Sequence, residues 1–168
     1  MRGVLDLSAA PEINLQRAAA ALDKPRHEQL IERLRSAGAS VSSPPDGDVA
    51  GALAALLPDA GADLLMGIGG TAEGVMTACA ARALGGFMQA RLAPQRPDEG
   101  QAVAGAGLST QKVYELDELA AGGSLFVATG VSGGALLRQP WHEDGRIHTD
   151  SIVIAQGSVR RVVEAHPR

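Results

Sequence analysis

Residues 62–74 read Ala-Asp-Leu-Leu-Met-Gly-Ile-Gly-Gly-Thr-Ala-Glu-Gly. An apolar run passes into glycines, and a helical pattern, TAEGVMTACAARALGG, begins at once. The pattern predicts a short buried strand, a glycine loop and a helix over about 71–84, ended by Gly85-Gly86. A loop of this kind is suited to anions. The first amides of a helix lack intrahelical partners, the dipole end is positive, and glycines let a ligand approach the backbone. Glu73 falls in the first helical turn, where a carboxylate is either a favourable capping charge or a metal ligand beside a phosphate. Gly67, Gly69 and Ala72 also fit a degenerate dinucleotide-binding pattern. The following strand, FMQARLA, carries Arg91 and lacks the acidic residue that such a site requires, so an NADP-binding domain is a weak third reading. No Lys-Ser or Lys-Thr follows the glycines, which excludes a P-loop.

Upstream, Asp23-Lys24-Pro25-Arg26-His27 opens a helix through HEQLIERLRSAG, with Leu30, Ile31 and Leu34 on one face and Gly38 as its stop. Lys24 as a point charge and Arg26 as a bidentate fork form either a phosphate-holding pair or a solvated charge cluster. ASVSS predicts a short strand broken by Pro44-Pro45. Asp46-Gly47-Asp48 then places two carboxylates around a glycine turn. They either accept sugar hydroxyls and help to hold an ion, or make a turn in which Asp48 caps the helix VAGALAALL.

Downstream, residues 93–109 form a polar, partly helical excursion, and LDELAAGG a short helix. SLFVATG is a buried strand and residues 131–146 a glycine-punctuated loop. TDSIVIAQG and SVRRVVEAH make a terminal hairpin turned at Gln156-Gly157-Ser158. Residues 11–21 begin at Pro11, are Ala-rich and read as a helix. The expectation is an N-terminal helical segment over 1–21, followed by a single α/β domain over 22–168. That domain is a layered α/β/α arrangement with a mixed sheet and a tight, alanine-lined core.

The chain has 168 residues, 45% of them hydrophobic and 20% charged, enough for one domain with its own core. Aromatics are 2% and the formal net charge is −4, which argues against base-stacking platforms and a basic nucleic-acid footprint. No apolar run reaches membrane-spanning length, and no signal peptide is expected. Cys79 is the single cysteine, so an internal disulfide is excluded and a reducing cytoplasm is expected. His142, His148 and His166 lack metal-ligand spacing. Cys79 reads as a core thiol, and Ser124 and Ser132 lack a nucleophile elbow.

LDKPRHEQLIERLRSAGASV, PDGDVAGAL, ADLLMGIGGTAEGVMTACAARALGGFMQARL, LFVATGVSGGALL, TDSIVI and VRRVVEAH occur in that order. From Leu22 onward the chain resembles class II fructose-1,6-bisphosphatases of the GlpX type, whose cyanobacterial relatives also hydrolyse sedoheptulose 1,7-bisphosphate. The resemblance implies that Lys24, Pro25 and Arg26 line the substrate phosphate and that Asp46, Gly47 and Asp48 contact the sugar bisphosphate. It further implies that Gly70 approaches the substrate through its backbone and that Glu73 ligates a divalent cation, Mn²⁺ or Mg²⁺. The reaction implied is hydrolysis of the 1-phosphate by a metal-activated water.

The chain corresponds to the C-terminal half of that family. Most of the family's acidic metal ligands lie in the N-terminal half, and Glu73 alone of them has a counterpart here. The apolar strand that leads into the KPRH motif is missing, and Ser132-Gly133-Gly134-Ala135 replaces a loop that is acidic in the family. The expectation is a phosphatase-type domain with weak or no turnover alone. The alternative is a non-catalytic sugar-phosphate-binding or regulatory module. Either would self-associate as a homo-oligomer or pair with a separately encoded N-terminal half.

Overall fold

The computed structural model describes residues 19–20, 23–43, 47–58, 62–134 and 136–167. The elements run in the order β1 (Ala19–Ala20), a 3-10 turn (Pro25–His27), α1 (Glu28–Ser36), β2 (Val41–Ser42), α2 (Asp48–Leu56) and α3 (Thr71–Leu84). There follow β3 (Gln89–Ala90), α4 (Pro97–Gly105), β4 (Tyr114–Glu115), α5 (Leu116–Leu119), β5 (Leu125–Thr129), β6 (Trp141–Glu143), β7 (Arg146–Ala155) and β8 (Ser158–His166). The chain is an α/β fold, as expected. Its parallel and antiparallel pairings are divided among separate sheets. β1 pairs with β2 in parallel, β3 with β4 antiparallel, and β5, β6, β7 and β8 form one antiparallel sheet around β7.

Most of the helix 11–21 read from the sequence lies outside the described residues. At its end, Ala19 and Ala20 are extended and bridge to Val41 and Ser42, so sheet pairing overrides alanine's helical preference there.

α3 is the central element. Gly70 is its N-cap. At the other end Gly85 takes a left-handed conformation (φ 70°), and the Gly86 amide donates to Ala81 O at 2.8 Å, closing a Schellman motif. Its inner face consists of Ala78, Ala80, Ala81 and Ala83, all buried. Small side chains bring the helix close to the sheet. Ala80 and Ala83 pack with Leu53 of α2, Phe126 of β5 and Ile152 and Ile154 of β7 in the main core. A second cluster joins Leu34 of α1, Ala39 and Met66, and holds α1 against the segment that leads into the glycine loop.

Two tight turns shape the sheet. Gln156 (φ 49°) and Gly157 (φ 73°) both have positive φ, the signature of a two-residue type I′ hairpin, as the sequence predicts. The Gly157 amide also donates to Ala83 O at 2.6 Å, pinning the hairpin to the end of α3. Asp144 (φ 49°) and Gly145 (φ 73°) make a second such turn between β6 and β7, inside a stretch read as loop. The strand expected over SLFVATG is present as β5 but is buried on one face only. Phe126 packs inward, whereas Leu125 and Val127 are exposed.

Asp150, in the middle of β7 between the stretches that pair with β5 and β6, is completely buried. Arg161 of β8 donates Nε to its Oδ1 at 2.8 Å and Nη2 to its Oδ2 at 2.5 Å, and the Arg138 amide donates to Oδ2 at 2.8 Å. The charge-assisted bonds from Arg161 are the main cause, with the Arg138 amide second, that the Asp150 carboxyl titrates at about 2 instead of 3.8. Because the folded value is depressed, its stabilising contribution is complete above the unfolded value. It is lost as pH falls through about 2. The thermal midpoint of the wild-type chain is therefore expected to fall steeply between pH 4 and pH 2. Asp150→Asn is expected to start from a lower midpoint with a shallower slope in that window, as thermal scans by circular dichroism would show.

Candidate functional site

Met66, Gly67, Ile68, Gly69 and Gly70 run into the N-terminus of α3 beside a cavity of about 370 Å³. The buried strand expected over ADLLMGIGG is not formed: only isolated bridges occur, at Leu64 and Ile68. At Ile68 both backbone groups are engaged by side chains. The Ile68 amide donates to His27 Nε2 at 2.7 Å, and Arg26 Nε donates to Ile68 O at 2.9 Å. The KPRH turn thus takes both groups, so the glycine loop is held from the side by α1's entry turn.

Both contacts follow from local sequence. Pro25 starts the 3-10 turn, the His27 amide closes it onto Lys24 O at 2.8 Å, and Arg26 and His27 leave the turn toward the loop. His27 is completely buried. A Cβ on Gly67 would sit 3.4 Å from the imidazole Cε1 and Nε2, so the ring lies directly against the loop at Gly67.

At the far end of the loop, Gly70 carries a second constraint. A Cβ at Gly70 would collide with Glu73 Oε2. The Glu73 carboxylate folds back over Gly70, at the mouth of the helix N-terminus. The first i→i−4 bond of α3 is Gly74 N to Gly70 O, so the amides of Thr71, Ala72 and Glu73 precede the helical ladder. A phosphate arriving there meets a positive helix end together with a carboxylate, and a cation between phosphate and carboxylate would resolve the repulsion.

The cavity is lined by Gly70, Glu73 and the apolar side chains of Leu56, Leu65 and Met88, with Asp63 as a second acidic residue. Hard divalent cations take six or more oxygen ligands. Among the described residues no group of three His, Cys, Asp or Glu side chains can hold a metal ion. The described part of the site therefore does not make up a complete divalent-metal site. It offers one carboxylate at the helix end and a neighbour on the cavity wall.

Of the residues singled out from the sequence, Gly70 and Glu73 lie together at the cavity, and Arg26 is tied to the same loop through Ile68. Lys24 is the N-cap of the 3-10 turn and, like Pro25, is not part of the cavity wall. Gly47 is the N-cap of α2 with φ 105°, a left-handed conformation that only glycine adopts without strain, and the cavity touches α2 at its other end, near Ala52 and Leu56. Asp46 lies outside the described residues, as does the side chain of Asp48. Two residues escaped the sequence reading. Asp63 carried a signal, since it opens the apolar run that ends in the loop. His27 carried none beyond its place in a charged turn.

An α/β domain with a glycine loop at a helix N-terminus, a carboxylate folded over it and an arginine-histidine turn bracing it is the class that the fold and site define. The comparisons give that class its family. The family model for bacterial fructose-1,6-bisphosphatase, glpX-encoded, matches residues 2–166, and the chain belongs to that family. A fructose-1,6-bisphosphatase class 2 of Haemophilus influenzae is 37% identical over 194 aligned residues, covering 99% of this chain and 58% of the relative. The Escherichia coli fructose-1,6-bisphosphatase 2 class 2 is 36% identical, covering 90% of this chain and 56% of its own length. A D-fructose 1,6-bisphosphatase class 2/sedoheptulose 1,7-bisphosphatase of Synechocystis is 35% identical, covering 85% of this chain and 46% of its own length. The chain thus spans about half the length of the curated relatives it matches. The Haemophilus alignment is longer than the 168-residue chain, so that relative carries residues within the matched region that this chain lacks.

Gly70→Ala tests the link between Gly70 and the carboxylate. Gly70 has φ −67°, which alanine adopts freely, so only Glu73 has to move. The variant is expected to fold with a thermal midpoint close to wild type and to lose anion affinity, measured by calorimetric titration with fructose 1,6-bisphosphate. Glu73→Ala added to it is expected to remove the steric conflict and restore the Gly70-region amide resonances.

Proposed function

We propose that this chain is the sugar-phosphate-binding part of a class II fructose-1,6-bisphosphatase, whose reaction is hydrolysis of the 1-phosphate ester of fructose 1,6-bisphosphate. The observation that carries the proposal is the braced glycine loop: Ile68 is held by Arg26 and His27, and Gly70 stands beneath Glu73 at the opening of α3. In this reading the first amides of α3 and the backbone at Gly70 receive a phosphate. Arg26, with Nε already spent on Ile68, uses its terminal nitrogens, and Lys24 adds a point charge. Asp46, Gly47 and Asp48 contact the sugar. Glu73 contributes one ligand to a divalent ion, Mn²⁺ or Mg²⁺, and the remaining ligands come from outside the described residues. Sedoheptulose 1,7-bisphosphate is the second substrate candidate, on the strength of the Synechocystis relative.

No hydrolytic step is assigned to the described residues, since their carboxylates do not complete a metal site. That same observation supports a second reading, a non-catalytic sugar-phosphate sensor or a half that works only with a partner. Exposed Leu125, Val127 and Val131 support pairing with a second copy or with a separately encoded N-terminal half. No described helix is long and apolar enough to cross a membrane, and a cytoplasmic location is part of the proposal.

Phosphate release from fructose 1,6-bisphosphate with Mn²⁺, run beside Glu73→Gln, tests the reading. The expected outcome is calorimetric binding of the sugar bisphosphate with little or no phosphate release by the chain alone. Robust release that Glu73→Gln abolishes would show that the chain completes the site by self-assembly. Absence of any binding would overturn the sugar-phosphate reading altogether.

A further inference from the structure

His27 is the completely buried imidazole in the molecule, and its bond to the Ile68 amide fixes its chemistry. A backbone N–H only donates. Nε2 must therefore present its lone pair, which places the ring proton on Nδ1. Arg26 meets the same residue from the same turn with the opposite polarity, donating to the Ile68 carbonyl. The Ile68 carbonyl and the Gly69 amide belong to one rigid peptide plane, as do the Gly67 carbonyl and the Ile68 amide. Holding both groups of Ile68 thus sets two consecutive peptide planes immediately before Gly70 and α3.

We infer that His27 is a positioning residue of the site: as a neutral hydrogen-bond acceptor it works with Arg26 to set the glycine loop in the orientation that receives a phosphate. The inference rests on the sugar-phosphate reading above for its purpose, but not for its geometry. Glycines at 67, 69 and 70 give close approach for a ligand and would otherwise leave the loop a wide choice of backbone conformations. Arg26 is the only one of the two that carries charge, so it can meet a phosphate with its terminal nitrogens while Nε stays on the loop. His27 meets the Ile68 amide through Nε2, and a donor there is matched only by a neutral acceptor. A loop set in advance does not lose that conformational freedom when the ligand arrives.

The test compares His27→Leu, which fills the space without an acceptor, with His27→Gln, whose side-chain oxygen can accept in place of Nε2. The 168-residue chain is used throughout. In wild type, the imidazole nitrogen spectrum is expected to show Nε2 unprotonated and Nδ1 protonated; a protonated Nε2 would overturn the inference without any variant. In the ligand-free chain, His27→Leu is expected to shift the Ile68, Gly69 and Gly70 amide resonances while those of Gly145 and Gly157 stay put, and His27→Gln to return them toward wild type. Affinity for fructose 1,6-bisphosphate is expected to fall about tenfold in His27→Leu, the scale of one lost buried hydrogen bond, and to recover in His27→Gln. Wild-type resonances and affinity in His27→Leu, or equal damage in both variants, would overturn it. If wild type itself fails to bind the sugar bisphosphate, the sugar-phosphate reading falls, while the amide resonances still decide whether His27 sets the loop.

Discussion

Both backbone groups of Ile68 are held by side chains, the amide by His27 and the carbonyl by Arg26, and much of the architecture serves that arrangement. The 3-10 turn must begin at Pro25 for Arg26 and His27 to leave it together. α1 must lie against Met66 through Leu34 and Ala39 so that the turn stays within reach. In return, the loop delivers Gly70 to the start of α3 in a fixed direction. An element with two opposite polar contacts on one residue resists rotation in a way that a single contact does not.

The rest of the molecule supplies a stationary base for α3. Its alanine face lets the helix approach β5 and β7 closely, and the Schellman closure at Gly85 and Gly86 ends it where the terminal hairpin begins. The Gly157 amide bond to Ala83 then connects turn and helix directly. In the middle of β7, Asp150 gathers Arg161 from β8 and the Arg138 backbone from the preceding loop. A buried carboxylate is tolerated there because each of its oxygens accepts charge-assisted or backbone bonds. The helix N-terminus is therefore mounted on well-packed structure, while its cavity side is glycine and carboxylate.

Family membership and the site's composition point in complementary directions. The chain belongs to the glpX-encoded fructose-1,6-bisphosphatase family over nearly all its residues, yet it spans about half the length of its relatives. Within the described residues the glycine loop, the α3 N-terminus and Glu73 stand together, and the carboxylates needed around a divalent ion do not. Binding and bond cleavage are separable demands. Orienting a phosphate needs donors and glycine, whereas activating water at a metal needs several convergent oxygens.

Local sequence was enough for α2, α3 and the terminal hairpin, because their signals are short-range: apolar periodicity, a glycine stop, and Gln156-Gly157 between alternating strands. It was enough also for the glycine loop and for Glu73 beside it. The Asp144-Gly145 hairpin was legible by the same rule and was passed over inside a stretch that looked like loop. What local sequence could not decide was whether ADLLMGIGG pairs as a strand. An apolar run has the same composition whether its amides meet another strand or a histidine forty residues away, and only the packing of α1 settles which. The sequence by itself determined that a helix start with glycine and glutamate would exist. Only the tertiary structure decided that His27 and Arg26 hold its approach, because hydrogen-bond partners distant in sequence are fixed by packing and leave no periodic trace.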